Sequence, residues 1–157
     1  MKWDAFSKNF NRLLKDALDD ITSKKNLKDK GDDLADDIVK RTKLGLSVDK
    51  PEGTPKKLKP LKPQTKTSRR YLKKKGKLSK DTTPAKSNLT QSGDLLDSVH
   101  AKVSDKKISV KVSNSEKDKV KWTGKDRPFL NADKNQIKQI KKDLEDELVR
   151  QLKKNLK

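Results

Sequence analysis

Residues 50–86 carry fourteen Lys/Arg and only two acids, Glu52 and Asp81, together with five of the chain's six prolines. About +12 of the +19 formal net charge therefore sits in this one stretch. Its apolar content is Leu58, Leu61, Tyr71, Leu72, Leu78 and Ala85. So few apolar groups are not expected to offset the entropy of fixing the backbone. The composition predicts an extended arm that is mobile alone and ordered by contact with a partner. It divides the chain into amino-terminal helices (1–46), the Lys/Pro-rich arm (47–88) and a carboxyl-terminal segment (89–157).

At 157 residues the chain fits one domain, and removing the arm leaves roughly 120 residues for a core. That core is lean. Hydrophobic residues make up 29% and charged residues 41%, a balance nearer to ribosomal or virion proteins than to enzymes framed around a buried site. Neighbouring chains are expected to supply part of the missing burial. The run Met1-Lys2-Trp3-Asp4-Ala5-Phe6-Ser7-Lys8 lacks the continuous apolar stretch of a signal peptide. No window approaches the eighteen or so apolar residues of a spanning helix; a polybasic stretch can also lie on a membrane surface, but no lipidation signal or strongly apolar arm helix supports that, so no membrane partner is expected. With no cysteine, disulfide and thiolate chemistry are absent.

Trp3, Phe6, Phe10, Leu13, Leu14, Ala17, Leu18 and Ile21 recur at steps of three and four, predicting an amphipathic helix over about 3–23. A second helix is expected over about 32–44. Asp32 and Asp33 favour its positive end, Lys40, Arg41 and Lys43 its negative end, and Gly45 stops it. Leu34, Ile38 and Val39 form its buried face. Both stripes are narrow, so the helices are expected to pair with each other or with another subunit. Periodicity lapses from Pro51 to Leu89 except at Tyr71-Leu72, which suits a short turn.

Ser92-Gly93-Asp94-Leu95-Leu96-Asp97-Ser98 reads as a turn or short helix. Beyond it, Val99, Ala101 and Val103 alternate with polar residues, as do Ile108, Val110 and Val112. Across the polar connection at 104–107 this predicts a β-hairpin with one apolar face. Val120 and Trp122 are expected to add a third short strand, since an isolated hairpin is marginal in water. The last helix, from about Asp133 to Leu156, has a stripe of Ile137, Ile140, Leu144, Leu148, Leu152 and Leu156. The expected fold is α+β: a small antiparallel sheet packed by amphipathic helices, with a long basic arm.

Catalytic and metal-binding constellations are scarce. One histidine and no cysteine remove the usual zinc sets and the His-activated nucleophiles. Alternation places His100 on the polar face of its strand. Trp122-Thr123-Gly124-Lys125-Asp126 lacks the earlier glycine of a phosphate loop and reads as a turn. The pairs Asp19-Asp20, Asp32-Asp33 and Asp36-Asp37 supply too few converging oxygens for a divalent cation. They read as a solvated helix face, with contact to a basic neighbour as the lesser reading. No catalytic residue, cofactor or metal is expected.

The arm residues Lys56, Lys57, Lys59, Lys62, Lys66, Arg69, Arg70, Tyr71, Lys73, Lys74, Lys75 and Lys77 form the candidate partner-binding segment. Three readings compete. Phosphates could be neutralised without regard to sequence, an acidic protein could be crossed by an extended tether, or the segment could be a solvated linker. With Tyr71 the only ring, base stacking has little support.

The order Leu89-Thr90-Gln91-Ser92-Gly93-Asp94-Leu95-Leu96-Asp97-Ser98-Val99, then a hairpin, then Arg127-Pro128-Phe129-Leu130, then a long charged helix, resembles the small tail-completion or neck (head-tail joining) proteins of tailed bacteriophages. In that family a "T-G-x-L-x-x-S-I/V" element opens the sheet and "R-P-F-L" leads into the last helix. The likeness covers about 89–157 well and 1–46 loosely. It implies a motif set of Gly93, Leu95, Ser98, Arg127, Pro128, Phe129 and Leu130. Gly93 would permit a tight turn, Pro128 would fix the approach to the last helix, and Phe129 and Leu130 would fold under the sheet. Arg127 would do more than pack, pairing with a carboxylate. The implied role is structural, a virion subunit at the head-tail junction, assembled in the host cytoplasm. Six or twelve copies would form a ring joining connector to tail proteins around the DNA channel, with non-specific DNA contact possible. The arm would reach from the body to grip a neighbouring ring, and removing 50–86 would leave a folded protein unable to join it. The rival is a ribosomal- or chromatin-type nucleic-acid-binding protein with the arm on phosphates; an enzyme has no candidate site.

Overall fold

The computed structural model describes residues 3–124 and 128–155. Its elements, in chain order, are α1 (Trp3–Ile21), α2 (Lys24–Lys43), β1 (Leu46–Ser47), β2 (Lys56–Lys57), α3 (Pro63–Lys74) and the one-turn α4 (Asp94–Asp97). Then come β3 (Val99–Ser104), β4 (Lys107–Val112), a 3₁₀ turn (Asn114–Glu116), α5 (Lys117–Gly124) and α6 (Lys134–Asn155). Helices thus surround two small antiparallel sheets, β1-β2 and β3-β4, in an α+β fold.

The helix over 3–23 and the last helix form as the periodicity predicts. The second begins eight residues earlier than its carboxylates suggested. Ser23 caps it by accepting from the Asn26 amide at 3.3 Å, which places Leu27 and Gly31 on its buried face beside Leu34, Ala35 and Ile38. Gly45 ends the run with φ 85°, a conformation that costs glycine nothing. The expected pairing of the first two helices is slight, because α1 packs mainly along α6.

The hairpin is built as alternation requires. Val99 faces Val112, Ala101 faces Val110 and Val103 faces Ile108 across the ladder. Its two-residue turn is Asp105-Lys106, both left-handed (φ 49° and 58°), the geometry that matches the twist of the flanking strands. The expected third strand is absent among the described residues, because Val120 and Trp122 lie in α5. The same helix contains Trp122, Thr123 and Gly124, which were expected to form a turn; Lys125 and Asp126 lie outside the described residues. What supports the hairpin instead is α2, packed across it. The approach is close enough that a Cβ on Gly31 would stand 2.7 Å from the Ala101 Cβ.

The core gathers Leu34, Ile38, Leu58, Leu89, Leu95, Leu96, Val112 and Phe129, with Val110, Val120, Leu130 and Ile140 packed against it. Leu58 belongs to the stretch expected to be an arm. This is the main correction: residues 56–88 fold onto the body. Lys56 and Lys57 pair with Ser47 and Leu46, Leu61 is buried, and residues 63–74 are helical. Excising 50–86 would therefore open the core, and a folded remainder is no longer expected.

Candidate functional site

The basic helix α3 is defined by its ends. Pro63 occupies its first turn, where a missing amide proton costs nothing. At the other end Gly76 turns left-handed (φ 67°), and the Lys77 amide donates to the Leu72 carbonyl at 2.9 Å, which closes the last turn. Five cations and no acid lie within the helix itself. Such a helix has little reason to form alone and needs an anchor.

That anchor is Arg69, with 3% of its surface exposed. Its Nη1 donates to the Lys86 carbonyl (2.8 Å), the Thr82 hydroxyl (3.1 Å) and Asn88 Oδ1 (3.3 Å). Its Nη2 donates to the Asn88 carbonyl at 2.8 Å. The rigid guanidinium fork suits several acceptors at once, a task lysine's single ammonium performs poorly. Asn88, itself fully buried, donates from Nδ2 to the carbonyls of Asp81 and Lys43 at 3.2 and 3.3 Å. The basic helix, the 79–88 loop and the end of α2 are thereby fastened together. An ion pair from Lys43 to Asp81 (2.7 Å) adds to this on the surface; their hydrogen bond raises the lysine pKa and lowers that of Asp81.

Of the arm residues, Lys56, Lys57, Lys59, Lys62, Arg70, Lys73, Lys74, Lys75 and Lys77 are exposed and Lys66 is half-buried. Tyr71 is 61% exposed, with the Lys75 ammonium 5.8 Å from its ring centre, a cation–π distance. Arg69 departs from expectation, since it points into the body and binds the chain's own carbonyls.

Along α3 runs a groove of about 760 Å³. Lys62, Thr65, Arg69 and Leu72, spaced by three and four, form one wall. Asn88, Leu89, Gln91, Gly93 and Leu95 form the other, with Asp118 and Lys119 of α5 at its edge. Of the motif residues, Gly93 and Leu95 line this groove. Gly93 turns with φ 105° to open α4, Leu95 is buried, and Ser98 donates its hydroxyl to the Leu95 carbonyl at 2.9 Å.

The Pro128-Phe129-Leu130 segment is held by Arg41, a residue the sequence reading placed merely at the end of a helix. Arg41 donates to the Phe129 and Asn131 carbonyls at 2.9 and 2.7 Å and to Gln136 Oε1 at 3.0 Å, and pairs with Asp133 at 3.4 Å. Burial lowers its pKa, and Asp133 opposes that shift. Asp133 caps α6 by accepting from the Asn135 and Gln136 amides at 2.8 and 3.0 Å, while Gln136 accepts from the Asp133 amide at 2.9 Å, a reciprocal capping box. Phe129 is 1% exposed. Arg127 lies outside the described residues.

His100 is exposed on its strand, with Nδ1 at 3.0 Å from the Ser98 carbonyl oxygen. Asp33, Asp36 and Asp37 are exposed, and Asp32 pairs with Lys28. Among the described residues no group of three or more His, Cys, Asp or Glu could hold a metal ion, and no helix is long and apolar enough to cross a membrane. What these residues present is a cationic helix beside a leucine-lined groove. Comparison with protein-family models, curated proteins and solved structures finds no match to this chain.

Proposed function

We propose that this chain is a structural virion protein, one subunit of a ring at the head-tail junction of a tailed bacteriophage that joins connector to tail around the DNA channel. The motif order from Leu89 to the last helix supplies the family likeness. The observation that carries the reading is the state of the two outer helices. Helix α6 presents Ile137, Ile140, Leu144, Leu148 and Leu152, yet none of its described residues is fully buried, and Val149 is 49% exposed. Leu18 of α1 is 40% exposed. Apolar stripes left half-covered are surfaces that further copies can complete. The hairpin also leaves strand edges with no neighbour among the described residues, and the next subunit can cover these.

Mass measurement of the purified protein by sedimentation equilibrium and native mass spectrometry tests this. Six or twelve copies are expected, with Leu148→Lys and Val149→Glu reducing the assembly to monomers that keep their helical circular dichroism. A wild-type monomer at high concentration would overturn the reading.

A second reading draws on one further observation, the exposed cations Arg70, Lys73 and Lys74 on a helix without acids. It makes the chain a ribosomal- or chromatin-type nucleic-acid-binding protein. It requires binding to duplex DNA or RNA that weakens steeply with salt, by about 10³-fold or more between ~50 and 200 mM for six or more phosphate contacts.

A further inference from the structure

The groove along α3 needs an occupant that matches two features at once. Its walls include four leucines, Leu61, Leu72, Leu89 and Leu95, and apolar walls gain nothing from a phosphate backbone. Its ends carry cations: Lys62 stands before the first turn of α3 and Lys77 just beyond the last. Twelve helical residues separate them, or about 18 Å at the helical rise of 1.5 Å per residue. The volume of about 760 Å³ lies within the roughly 300–1,000 Å³ of established ligand pockets. The trough mixes these leucines with neutral polar groups (Thr65, Asn88, Gln91, Ser92), has a lysine towards each end, and carries Asp118 beside Lys119 where α5 meets it.

We propose that this groove is a docking site for an acidic amphipathic helix of a partner protein, about three turns long, which lays apolar side chains between α3 and the Leu89–Leu95 wall and carboxylates against Lys62 and Lys77. Leucine-type anchors at i, i+3, i+4 and i+7 are how helices fill such grooves, and the charged ends set orientation and speed encounter. The residues 62–77 contain eight Lys/Arg and no acid, so the sign of the occupant follows from charge complementarity. The face is distinct from the outer stripes of α1 and α6, so docking can succeed or fail whatever the mass measurement returns.

The test uses the full chain and a fluorescein-labelled peptide of about 14 residues, roughly four turns. The peptide has leucine at i, i+3, i+4 and i+7 and glutamate elsewhere; a second peptide has the same composition scrambled. Anisotropy at ~0.15 M salt should show the patterned peptide binding at least about tenfold more tightly, because only it has an apolar face. Amide shifts should concentrate at Thr65, Leu72, Gln91 and Gly93. Lys77→Glu should weaken binding about fivefold or more, and Lys74→Glu, exposed on α3 outside the groove, by less than about twofold. Leu72→Gln should weaken it with circular dichroism unchanged; should that variant unfold, the exposed Lys77 still decides. Equal binding of the two peptides would overturn the proposal. So would displacement by a single-stranded oligonucleotide with shifts confined to Arg70, Lys73 and Lys74.

Discussion

Arg69 holds Asn88 by both of its oxygens, the main-chain carbonyl at 2.8 Å and Oδ1 at 3.3 Å, with arginine and asparagine alike buried. This relationship turns the most basic stretch of the chain from an arm into part of the body. It gives α3 a fixed place and so gives the groove beside it a wall.

Arg69→Ala would leave the buried main-chain carbonyl of Asn88 without its Arg69 donor and break the bond to the part-buried Lys86 carbonyl, while Asn88 Oδ1 keeps the Thr82 hydroxyl at 2.6 Å. Each such loss costs about 1–3 kcal/mol, so a loss of about 3 kcal/mol in urea unfolding is expected. Arg69→Lys should recover only part of it, because an ammonium cannot serve the same fork of acceptors. A loss under about 1 kcal/mol for Arg69→Ala would show that α3 is held by other contacts.

Gly31→Ala should destabilise despite the better helix propensity of alanine, worth up to about 1 kcal/mol. The new methyl would meet the Ala101 Cβ at 2.7 Å and the Ile108 Cγ2 at 3.1 Å, and overpacking of this kind costs about 1–3 kcal/mol. Adding Ala101→Gly removes the nearer clash. Thermal melts of the single and double variants should show recovery in the double, beyond the sum of the separate effects.

Phe129→Ala removes a ring that is 1% exposed within the main core. A cost of about 3–5 kcal/mol is expected, read as a fall in the denaturant midpoint. Phe129→Leu, which keeps most of the volume, should cost much less.

The turn residue Lys106 has φ 58°, a region in which a non-glycine side chain is strained. Lys106→Gly should raise the melting temperature, by about 0.5–1 kcal/mol of stability, since Asp-Gly is the preferred pair for this turn. A fall would mean that the Lys106–Asp19 pair at 3.0 Å outweighs the backbone strain.

Acid should loosen the surface ties. Hydrogen bonds from Lys43, Lys30 and Arg150 lower the pKa values of Asp81, Asp143 and Glu147 respectively. A lowered carboxylate stabilises the fold fully above its ordinary range near ~4 and loses that contribution as pH falls through its folded-state value. Stability should therefore decline below about pH 4, modestly, because all three ion pairs lie at the surface, with Asp81 exposed and Asp143 and Glu147 half-buried. Asp143→Asn should blunt the decline; an unchanged acid limb would remove Asp143 from this account.

Much of the fold is legible in the sequence. The stripe of α1, the hairpin alternation and the stripe of α6 each repeat with the period of the element that forms, because a half-buried helix or strand must put apolar groups on one side. The α3 helix was missed for the complementary reason. Its one fully buried side chain is an arginine, so no apolar period marks it. The available signal was punctuation, Pro63 at the start and Gly76 just past the end. The third strand failed because two apolar residues, Val120 and Trp122, fit the alternation of a strand yet lie in the short helix α5. Of the candidate site, the cations were plain in the sequence, but not which of them faces outward.

Composition and periodicity by themselves determined the α+β class, the hairpin's apolar face and the concentration of positive charge, since these follow from local backbone geometry and from counting. Only the tertiary structure decided that Arg69 turns inward while Arg70 beside it faces out, and that Arg41 holds the segment before α6. Buried carbonyl oxygens must find donors once water is excluded, and which donors reach them depends on elements brought together from far apart in the chain.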